Sequence, residues 1–454
     1  MHLSDWSDLV WGIPTITAFL GVGLLYSVRL RFLQVRRLPE ALRSIFRRDQ
    51  SGGVSPYGAL CTALAATIGT GNIVGVATAV CAGGPGALFW MMVAAFFGMA
   101  TQYAEAYLAV KARRNGEHFG GPFYYIEHLR FGKPLAVAFA LMGAAAGLLG
   151  VGTLTQVNSI TSALEGFFSS PARFSIHGRA IGTATVLGGL IVTVTASVVL
   201  LGGVKRIAGA CELIVPLMSA LYLSLSFVIL LRFGAKIPAA FGTILRGAFC
   251  PKAVLGAGCG IGVKAVMRMG IGRGVFTNEA GLGTTPIAAA LSSDDDPQRQ
   301  GLVSMTGTFI DTIVICSITG LCLVVTDAWR LPLEGGAITD AAWRAALPFP
   351  ESLSSFLLML CLIFFAFSTI IGWNVYAEAC LRYLTGGRGQ RAYRVLYLAM
   401  VAMGPYISVR AAWESADILN ALMALPNLAA LVFLSPRVTY DGKTKRSTML
   451  ARRR

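Results

Sequence analysis

The sequence predicts an all-α polytopic membrane protein from three observations: its composition, its long apolar runs and the placement of its basic residues. The 454 residues are 55% hydrophobic and only 13% charged, which is more apolar surface than one soluble core can bury. The apolar residues form about eleven runs, each long enough to cross a bilayer as a helix. The runs are approximately 11–30, 57–82, 87–110, 135–166, 179–202, 211–232, 253–291, 300–326, 351–384, 391–409 and 416–435.

The basic residues predict how these runs are oriented. The net charge is +16, but the charges lie in short connectors between apolar runs, which argues against a nucleic-acid partner. If the runs alternate across the bilayer, 26 of the 38 basic residues fall on one side. By the positive-inside rule that side is cytoplasmic. We therefore expect a multi-pass protein of the cell membrane with its N-terminus outside and its C-terminus in the cytoplasm.

The reactive residue types argue against an enzyme. The nine cysteines lie in or beside apolar runs without a CxxC pair, and the four histidines all lie outside the runs. No HExxH motif or nucleophile elbow is present in the sequence. We therefore expect no catalytic residues and no enzymatic cofactor.

The second run is interrupted at its middle by Ile68-Gly69-Thr70-Gly71-Asn72. A glycine inside a helix costs roughly 1 kcal/mol relative to alanine, and an asparagine amide in hydrocarbon needs hydrogen-bond partners. From these residues alone, a tight helix crossing and a binding site are equally good interpretations.

The seventh run is interrupted in a similar way, between Gly270 and Gly283. Two glycine-interrupted helices at corresponding places in two halves are typical of a transporter binding site, because half-helix ends provide free N–H and C=O groups. The spacing predicts a first five-helix repeat over 57–234 and an inverted second repeat over 235–436. Residues 1–56 then provide a peripheral helix with a basic connector, and residues 437–454 a basic cytoplasmic tail.

Several long motifs resemble the alanine or glycine:cation symporter family, and the resemblance covers nearly the whole chain. They are Gly69-Thr70-Gly71-Asn72-Ile73-Val74-Gly75-Val76-Ala77, Gly83-Gly84-Pro85-Gly86-Ala87-Leu88-Phe89-Trp90-Met91, Gly121-Pro122-Phe123-Tyr124-Tyr125-Ile126, Gly274-Val275-Phe276-Thr277-Asn278-Glu279-Ala280-Gly281-Leu282-Gly283, Ile371-Gly372-Trp373 and the stretch 417–427. Met92, where the family usually has tryptophan, and the acidic run Asp294-Asp295-Asp296 depart from the pattern.

The resemblance implies a LeuT-type fold of inverted five-helix repeats preceded by one peripheral helix. It also implies sodium-driven uptake of a small neutral amino acid, L-alanine or glycine, by alternating access. Acceptance of D-alanine is left open. A proton-coupled transporter of the same fold is the alternative that the sequence does not exclude.

The expected substrate pocket combines both interruptions. N–H groups near Thr70 and Gly71 suit a carboxylate, and carbonyls near Phe276 and Thr277, with the Thr277 hydroxyl, suit an ammonium group. The other candidate substrate residues are Asn72, Gln156, Thr369 and Trp373. Gln156 could instead form a plain interhelical hydrogen bond, and Thr369 would border the pocket. Trp373 and Phe276 would limit the size of the substrate side chain.

The resemblance to LeuT-type transporters implies a sodium site where the first interruption meets the ninth run. The carbonyls of Ala65 and Ile68 lie three residues apart, hence on one face, and Ser368 and Thr369 provide hydroxyls in a very apolar run. The alternative is that both hydroxyls bond to carbonyls of their own helix. A second sodium site is expected at Thr67, Asn72 and Thr277.

Four acidic residues lie within the apolar runs: Glu105, Glu279, Asp311 and Glu378. Each is a candidate proton carrier or cation ligand, or a structural partner of Arg268, Arg273 or a helix end. The structural interpretation is favoured for Glu105 and Glu378. Arg268 and Arg273 are also candidates for gate ion pairs.

Two connectors have predicted local structure. We expect residues 39–48 to form a basic loop, with an amphipathic turn on the membrane as the alternative. We expect residues 120–125 to form a short surface helix that leads into the fourth run.

Overall fold

The structure is a computed structural model that describes residues 10–46, 54–113, 119–168, 173–176, 179–250 and 262–441. Within those ranges, seven helices are long and apolar enough to span a membrane, and one bent pair of helices makes an eighth. A shorter apolar helix, a second interrupted helix and a helix at 390–403 lie where the other three runs were predicted. The multi-pass helical architecture is therefore confirmed, while the count of eleven spans stays a prediction.

The described residues of the first half of the chain form ten α-helices of five or more residues. They are α1 (Ile13–Arg29), α2 (Leu38–Ser44), α3 (Pro56–Thr67), α4 (Val76–Gly83), α5 (Gly86–Lys111), α6 (Pro122–Ile126), α7 (Gly132–Leu149), α8 (Leu154–Phe168), α9 (Thr183–Leu200) and α10 (Gly203–Arg232). Two antiparallel strands, β1 (Arg173–Ile176) and β2 (Arg179–Gly182), precede α9. The chain is therefore not purely helical, and the fifth span begins later than predicted.

The part of the second half that the structure describes contains nine α-helices. They are α11 (Ile237–Phe249), α12 (Val263–Asn278), α13 (Thr285–Leu291), α14 (Pro297–Thr308), α15 (Ser317–Val325), α16 (Gly336–Ala346), α17 (Glu351–Thr385), α18 (Gln390–Met403) and α19 (Val409–Leu434). A π-helical segment, Phe309–Cys316, joins α14 to α15. Helices α11 and α16 were not predicted, because they are too short to stand out as membrane spans in the hydropathy pattern.

The first broken helix consists of α3 and the segment Gly71–Gly83, which meet at an angle of 51°. The Ser55 side chain accepts a hydrogen bond from the Gly58 amide at the start of α3, as an N-cap residue does. At the break, the Gly69 amide donates to Asn72 Oδ1 at 2.9 Å instead of to a carbonyl one turn earlier. Asn72 thus satisfies part of the backbone that the break leaves unpaired.

The second broken helix consists of α12 and α13, and its break lies within the predicted stretch 270–283. Residues 270–278 are helical, and the chain leaves the helix at Glu279, which has a left-handed φ of 57°. Gly281 and Gly283 follow with φ values of 89° and 85°, a region that glycine adopts without the penalty of a side chain. The break therefore lies at the C-terminal end of the predicted stretch 270–283, and the earlier part of that stretch is helical.

The glycines before the break serve helix packing instead. A Cβ atom on Gly270 would overlap the Ala87 carbonyl oxygen, and one on Gly274 would lie 3.2 Å from Met91 Cγ. Helix α12 therefore packs closely against α5, as small residues allow in membrane proteins.

The two broken helices run in opposite directions. Val54, just before α3, forms a bridge with Ser292, just after α13, and the Ser293 amide donates to the Val54 carbonyl at 2.8 Å. The start of the first broken helix therefore lies beside the end of the second. This antiparallel arrangement places the two breaks side by side.

Helix α1 packs on the outside of this core. A Cβ atom on Gly23 would lie 2.7 Å from Phe97 Cβ, and the Tyr26 hydroxyl donates to the Leu431 carbonyl at 2.6 Å. Leu24 and Val28 of the same helix are exposed. The described part of the N-terminal region thus has the form expected of a peripheral membrane helix.

Both predicted connector structures need correction. Residues 38–44 form the helix α2 rather than a loop, and Ala41 of that helix is fully buried. The helix α6 is buried rather than on the surface, because Phe123 and Tyr125 pack into the core. The predicted cytoplasmic tail lies outside the described residues from position 442 onward.

Candidate functional site

The first break presents Thr70 and Gly71, both buried, at the start of a helical segment. The first N–H groups of a helix have no carbonyl one turn earlier to bond. The Thr70 hydroxyl donates to Gln156 Oε1 on α8 at 3.1 Å. The structure therefore brings Thr70, Gly71 and Gln156 together, as the sequence predicted, with the glutamine oxygen already facing the threonine.

The second break frees the carbonyls of Phe276 and Thr277. In a continuous helix these carbonyls would bond the amides of Ala280 and Gly281. Instead the Ala280 amide donates to Asn278 Oδ1 at 3.0 Å and the Gly281 amide donates to Glu105 Oε2 at 3.2 Å. The last turn of α12 therefore presents acceptors without their helical donors.

The two breaks touch each other. A Cβ atom on Gly71 would lie 2.7 Å from Thr277 Cγ2 and 3.8 Å from Phe276 Cδ1. A Cβ atom on Gly69 would lie 2.5 Å from Thr369 Oγ1 and 3.5 Å from Gln156 Oε1. The first break therefore lies against side chains of the second break and of α8 and α17.

A buried carboxylate lies at this contact. Asn72 Nδ2 donates to Asp311 Oδ1 at 2.7 Å and to Cys316 Sγ at 3.3 Å. The Thr312 hydroxyl donates to Asp311 Oδ2 at 2.6 Å and accepts from Asn278 Nδ2 at 3.2 Å. Asp311 is fully buried, so its interactions connect the π-helical segment to both breaks.

The expected sodium ligands also lie together. In a continuous helix, the Gly69 and Asn72 amides would donate to the Ala65 and Ile68 carbonyls. Here the Gly69 amide donates to Asn72 Oδ1 and the Asn72 amide donates to the Gly69 carbonyl at 3.2 Å. The Ala65 and Ile68 carbonyls therefore lack their helical donors. Ser368 Oγ lies 3.4 Å from the Ile68 carbonyl oxygen. The alternative interpretation is also visible, because Ser368 and Thr369 both donate to the Phe365 carbonyl, at 2.8 and 3.0 Å.

The expected second sodium site is only partly assembled. Asn72 and Thr277 both approach Cys316, with the Thr277 hydroxyl 4.0 Å from its sulfur. The Thr277 hydroxyl also donates to the Gly274 carbonyl at 2.9 Å. Thr67 instead bonds within its own helix, to the Leu64 carbonyl at 3.5 Å. The structure adds Asp311 and Thr312 to this group, whereas Thr67 belongs to the other side of the break.

The two aromatic candidates have different surroundings. Phe276 packs against Trp413 with the rings tilted by 34° and their centroids 5.3 Å apart, and the Arg273 guanidinium lies over both rings. Trp373 is fully buried and its indole Nε1 donates to Glu279 Oε1 at 2.8 Å. Phe276 therefore lies next to Gly71, whereas Trp373 is directed toward the second break.

A cavity of about 1380 Å³ leads toward the site from the end of the bundle opposite the basic connectors. Its walls include Val74 and Gly75, one turn beyond the first break, and Arg273 and Trp413. Arg273 lies 3.9 Å from the Asp417 carboxylate, which agrees with its interpretation as a gate residue. The residues at the breaks are themselves buried, so the site is closed from this cavity.

The remaining acidic residues act differently from one another. Glu105 accepts hydrogen bonds from the Gly281 and Gly283 amides and from Asn427 Nδ2, so it supports the second break. Glu279 accepts from Trp373 and from the Thr284 hydroxyl at 2.6 Å. Glu378 forms an ion pair with Arg394, at 2.6 and 2.7 Å.

Sequence reasoning missed Thr312, Cys316 and Asn427 at the site. Thr312 and Cys316 lie in an apolar span that the hydropathy pattern treats as continuous, and nothing in it marks the π-helical segment. Asn427 lies in a motif of the resemblance, and an asparagine in the middle of the last apolar run was the available signal.

The geometry defines a class of protein. Two antiparallel broken helices meet at a buried site, and a cavity reaches toward that site from one side, as in secondary transporters of inverted-repeat architecture. The fold is similar to the crystal structure of MhsT in complex with L-phenylalanine, with a TM-score of 0.60 over 86% of this chain and 90% of that chain at 17% sequence identity. The protein therefore has a LeuT-type transporter fold.

The family follows from the sequence comparison. The model of the sodium:alanine symporter family matches residues 2–447, and the chain belongs to that family. The chain is 43% identical to the sodium/alanine symporter AgcS of Methanococcus maripaludis, over 96% of this chain and 95% of that protein. It is 34% identical to the putative sodium/proton-dependent alanine carrier protein YrbD of Bacillus subtilis, over 94% and 88% of the respective chains. The protein is thus a cation-coupled amino-acid symporter and not an enzyme.

Proposed function

We propose that the protein couples sodium influx to the uptake of alanine or glycine by alternating access. The observation that carries this proposal is the close approach of Gly71 to the Thr277 and Phe276 side chains, which brings the helix end that has free amides near the helix end that has free carbonyls. A zwitterion needs donors for its carboxylate and acceptors for its ammonium group within a few ångströms of each other. The name of AgcS, a sodium/alanine symporter, agrees with this assignment.

The substrate carboxylate binds at the Thr70 and Gly71 amides. Glycine lets the ligand approach the backbone closely, and the positive end of the helical segment attracts the anion. The ammonium group binds the Phe276 and Thr277 carbonyls. Gln156, which already accepts from Thr70, orients the carboxylate end.

The size of the substrate side chain is limited by the tight packing of this region. Thr277 and Phe276 lie within 3.8 Å of where a Gly71 Cβ would be, and Thr369 lies as close to Gly69. A hydrogen or a methyl group fits such a space. Each further methylene group would be disfavoured, because a hydrophobic pocket discriminates one methylene by roughly 1–3 kcal/mol. L-alanine and glycine therefore share the site, and the chirality of an accepted alanine depends on which side of it Phe276 occupies.

Sodium binds between the first break and α17. The Ala65 and Ile68 carbonyls and the Ser368 and Thr369 hydroxyls are neutral oxygen ligands of the kind that hard cations prefer. Binding would draw the two hydroxyls away from the Phe365 carbonyl that they now bond. Sodium thereby connects α17 to the first broken helix and favours closure around the substrate.

Asp311 supports a second cation, with sodium or a proton as the occupant. A buried carboxylate is costly unless it is neutralised or hydrogen-bonded, and Asn72 and Thr312 provide hydrogen bonds but no positive charge. Proton coupling at Asp311 is therefore the second candidate mechanism. The sodium mechanism is preferred because the Thr312 hydroxyl bonds the same carboxylate and the Thr277 hydroxyl lies 3.5 Å from the Thr312 hydroxyl, so that two neutral oxygens lie beside Asp311.

The deciding experiment measures alanine and glycine uptake into proteoliposomes with imposed gradients. A sodium gradient alone is expected to drive accumulation, and a proton gradient alone in sodium-free buffer is not. The variant Asp311→Asn is expected to weaken sodium activation, with Asp327→Asn, an exposed residue paired with Arg330, as the matched control. Accumulation driven by protons without sodium, and lost in Asp311→Asn, would establish the second mechanism instead.

A further inference from the structure

A second cavity lies at the opposite end of the bundle, where the basic connectors are. Its volume is about 570 Å³. Its lining comprises Arg29, Leu30, Arg31, Leu33, Arg36, Arg37, Val438, Thr439, Tyr440 and Asp441. Four arginines therefore converge on one cavity between the end of α1 and the segment that follows α19.

The charges in this cavity are not balanced. Arg37 pairs with Glu40 at 3.0 Å, and Asp441 is the single acidic residue of the lining. Arg29, Arg31 and Arg36 form no ion pair with any residue that the structure describes, and all three are exposed. The cavity thus has a net positive charge that an anionic ligand would neutralise.

The backbone at this place adopts a rare conformation. Arg31 and Phe32 are consecutive non-glycine residues with φ values of 55° and 54°. Such conformations are uncommon for residues with a side chain and cluster at binding sites. The turn is closed by the Phe32 amide, which donates to the Ser27 carbonyl at 2.6 Å, and it turns the chain abruptly between Arg29 and Arg36.

An apolar surface continues from the cavity along α1. Leu24, Leu25 and Val28 are 48%, 37% and 58% exposed, and Phe32 is 42% exposed. Leu24 and Val28 lie one turn apart on one face of the helix, and Val28 immediately precedes Arg29. A ligand that suits both surfaces has an anionic head and apolar chains.

The wall facing the arginines is attached to the core of the transporter. The Tyr103 hydroxyl on α5 donates to the Thr439 carbonyl at 2.9 Å, and the Asp441 amide donates to Gln298 Oε1 of α14 at 3.2 Å. The Tyr440 hydroxyl donates to a carboxylate oxygen of α2 at 3.0 Å. A ligand in the cavity would therefore link α1 to α5 and α14 through this wall.

We propose that the cavity binds the phosphate headgroup of an anionic phospholipid, with the acyl chains along the exposed face of α1. Arginine is suited to phosphate because its planar guanidinium donates two hydrogen bonds at once. Basic pockets beside membrane helices are known to recognise anionic lipid headgroups. The apolar face distinguishes a lipid from a free phosphate, which would need the arginines alone.

The test uses the purified full-length protein in detergent with phosphatidylglycerol, phosphatidylcholine of the same acyl chains, or soluble glycerol phosphate. Lipid retained is counted by native mass spectrometry, and the unfolding temperature is measured in parallel. Phosphatidylglycerol is expected to bind at least tenfold more tightly than phosphatidylcholine and to raise the unfolding temperature. Equal binding of the two lipids would overturn the proposal, and equal stabilisation by glycerol phosphate would replace the lipid with a free phosphate.

Two pairs of substitutions localise the effect. Arg31→Gln with Arg36→Gln is expected to remove the preference for phosphatidylglycerol. Arg388→Gln with Arg391→Gln removes the same charge from another connector and is expected to retain it. If the first pair fails to fold, Arg31→Lys with Arg36→Lys serves instead, with reduced but measurable preference expected. An unchanged preference in whichever arginine pair is measured would contradict the assignment.

Discussion

The Trp373 indole donates a hydrogen bond to the Glu279 carboxylate at 2.8 Å, and both side chains are fully buried or nearly so. Trp373 lies on α17, one turn beyond the hydroxyls of Ser368 and Thr369. Glu279 is the residue at which α12 ends. The bond therefore joins the helix of the expected sodium site to the second break, and a movement of either helix changes the other.

Replacing Trp373 tests its role as a limit on substrate size. Trp373→Ala is expected to admit leucine or methionine as competitors of alanine uptake, because the substitution removes a large side chain near the second break. Trp343→Ala is the matched control, since Trp343 is also fully buried but lies on α16. Both variants lose core packing worth about 3–5 kcal/mol. If the two show the same unchanged competition profile, Trp373 does not line the substrate pocket.

Gly71 and Gly75 lie in the same helical turn and form a matched pair. A Cβ on Gly71 would lie 2.7 Å from Thr277 Cγ2, while a Cβ on Gly75 would meet nothing within 4 Å. Thr277 is β-branched, and its hydroxyl donates to the Gly274 carbonyl of its own helix, so it yields little. Gly71→Ala is expected to lower uptake by about tenfold or more, the effect of roughly 1.4 kcal/mol, and Gly71→Leu to abolish it.

The control for this prediction separates transport from insertion. Gly75→Ala is expected to transport at close to the wild-type rate, and all three variants are expected to reach the membrane in similar amounts. Wild-type uptake by Gly71→Leu would remove Gly71 from the substrate site.

The sodium site is tested by Ser368→Ala combined with Thr369→Ala. The sodium concentration for half-maximal uptake is expected to rise by tenfold or more, since each lost ligand costs about 1 kcal/mol. Ser354→Ala, a buried serine on the same helix, is expected to leave the sodium dependence unchanged. A double variant with normal expression and normal sodium dependence would place the coupling ion elsewhere.

The support of the second break is tested by Gly281→Ala. Gly281 has a φ of 89°, and a Cβ there would lie 2.8 Å from Phe19 Cδ1. The variant is expected to lose about 1–3 kcal/mol of stability, measured as a lower unfolding temperature of the purified protein. Gly209→Ala in α10, where a Cβ would meet nothing within 4 Å, is expected to be neutral or slightly stabilising. If Gly281→Ala unfolds at the same temperature as the wild-type protein, the second break tolerates another backbone conformation.

Topology is tested by labelling single cysteines with an impermeant thiol reagent in a cysteine-free background. Ala337→Cys, which lines the large cavity, is expected to react in intact cells. Arg388→Cys, in a basic connector, is expected to react only after the membrane is opened. The reverse pattern would invert the orientation predicted from the positive charges.

Much of this architecture could be predicted from the sequence, because it depends on the free-energy cost of placing single residues or short segments in the membrane. Lipid excludes unpaired backbone and polar side chains, so apolar runs mark spans and glycine-rich interruptions mark places where the helix is broken. The first break followed from such local signals, and the family followed from its motifs. The proximity of Ile68 to Ser368 was implied by the resemblance to LeuT-type transporters. The antiparallel order of the broken helices followed from the odd number of spans in each half.

Other features depend on contacts between residues distant in the chain, and the tertiary structure decided them. Within the predicted stretch 270–283, the tertiary structure decided where the helix breaks. Gly270 stays helical and packs closely on Ala87, whereas the Gly281 and Gly283 amides leave the helix and donate to Glu105. Asp311, in the π-helical segment, accepts a hydrogen bond from Asn72, which lies 239 residues earlier in the chain. In the sequence, a glycine that breaks a helix looks the same as a glycine that lets another helix approach. Only the position of the neighbouring helix distinguishes these two roles.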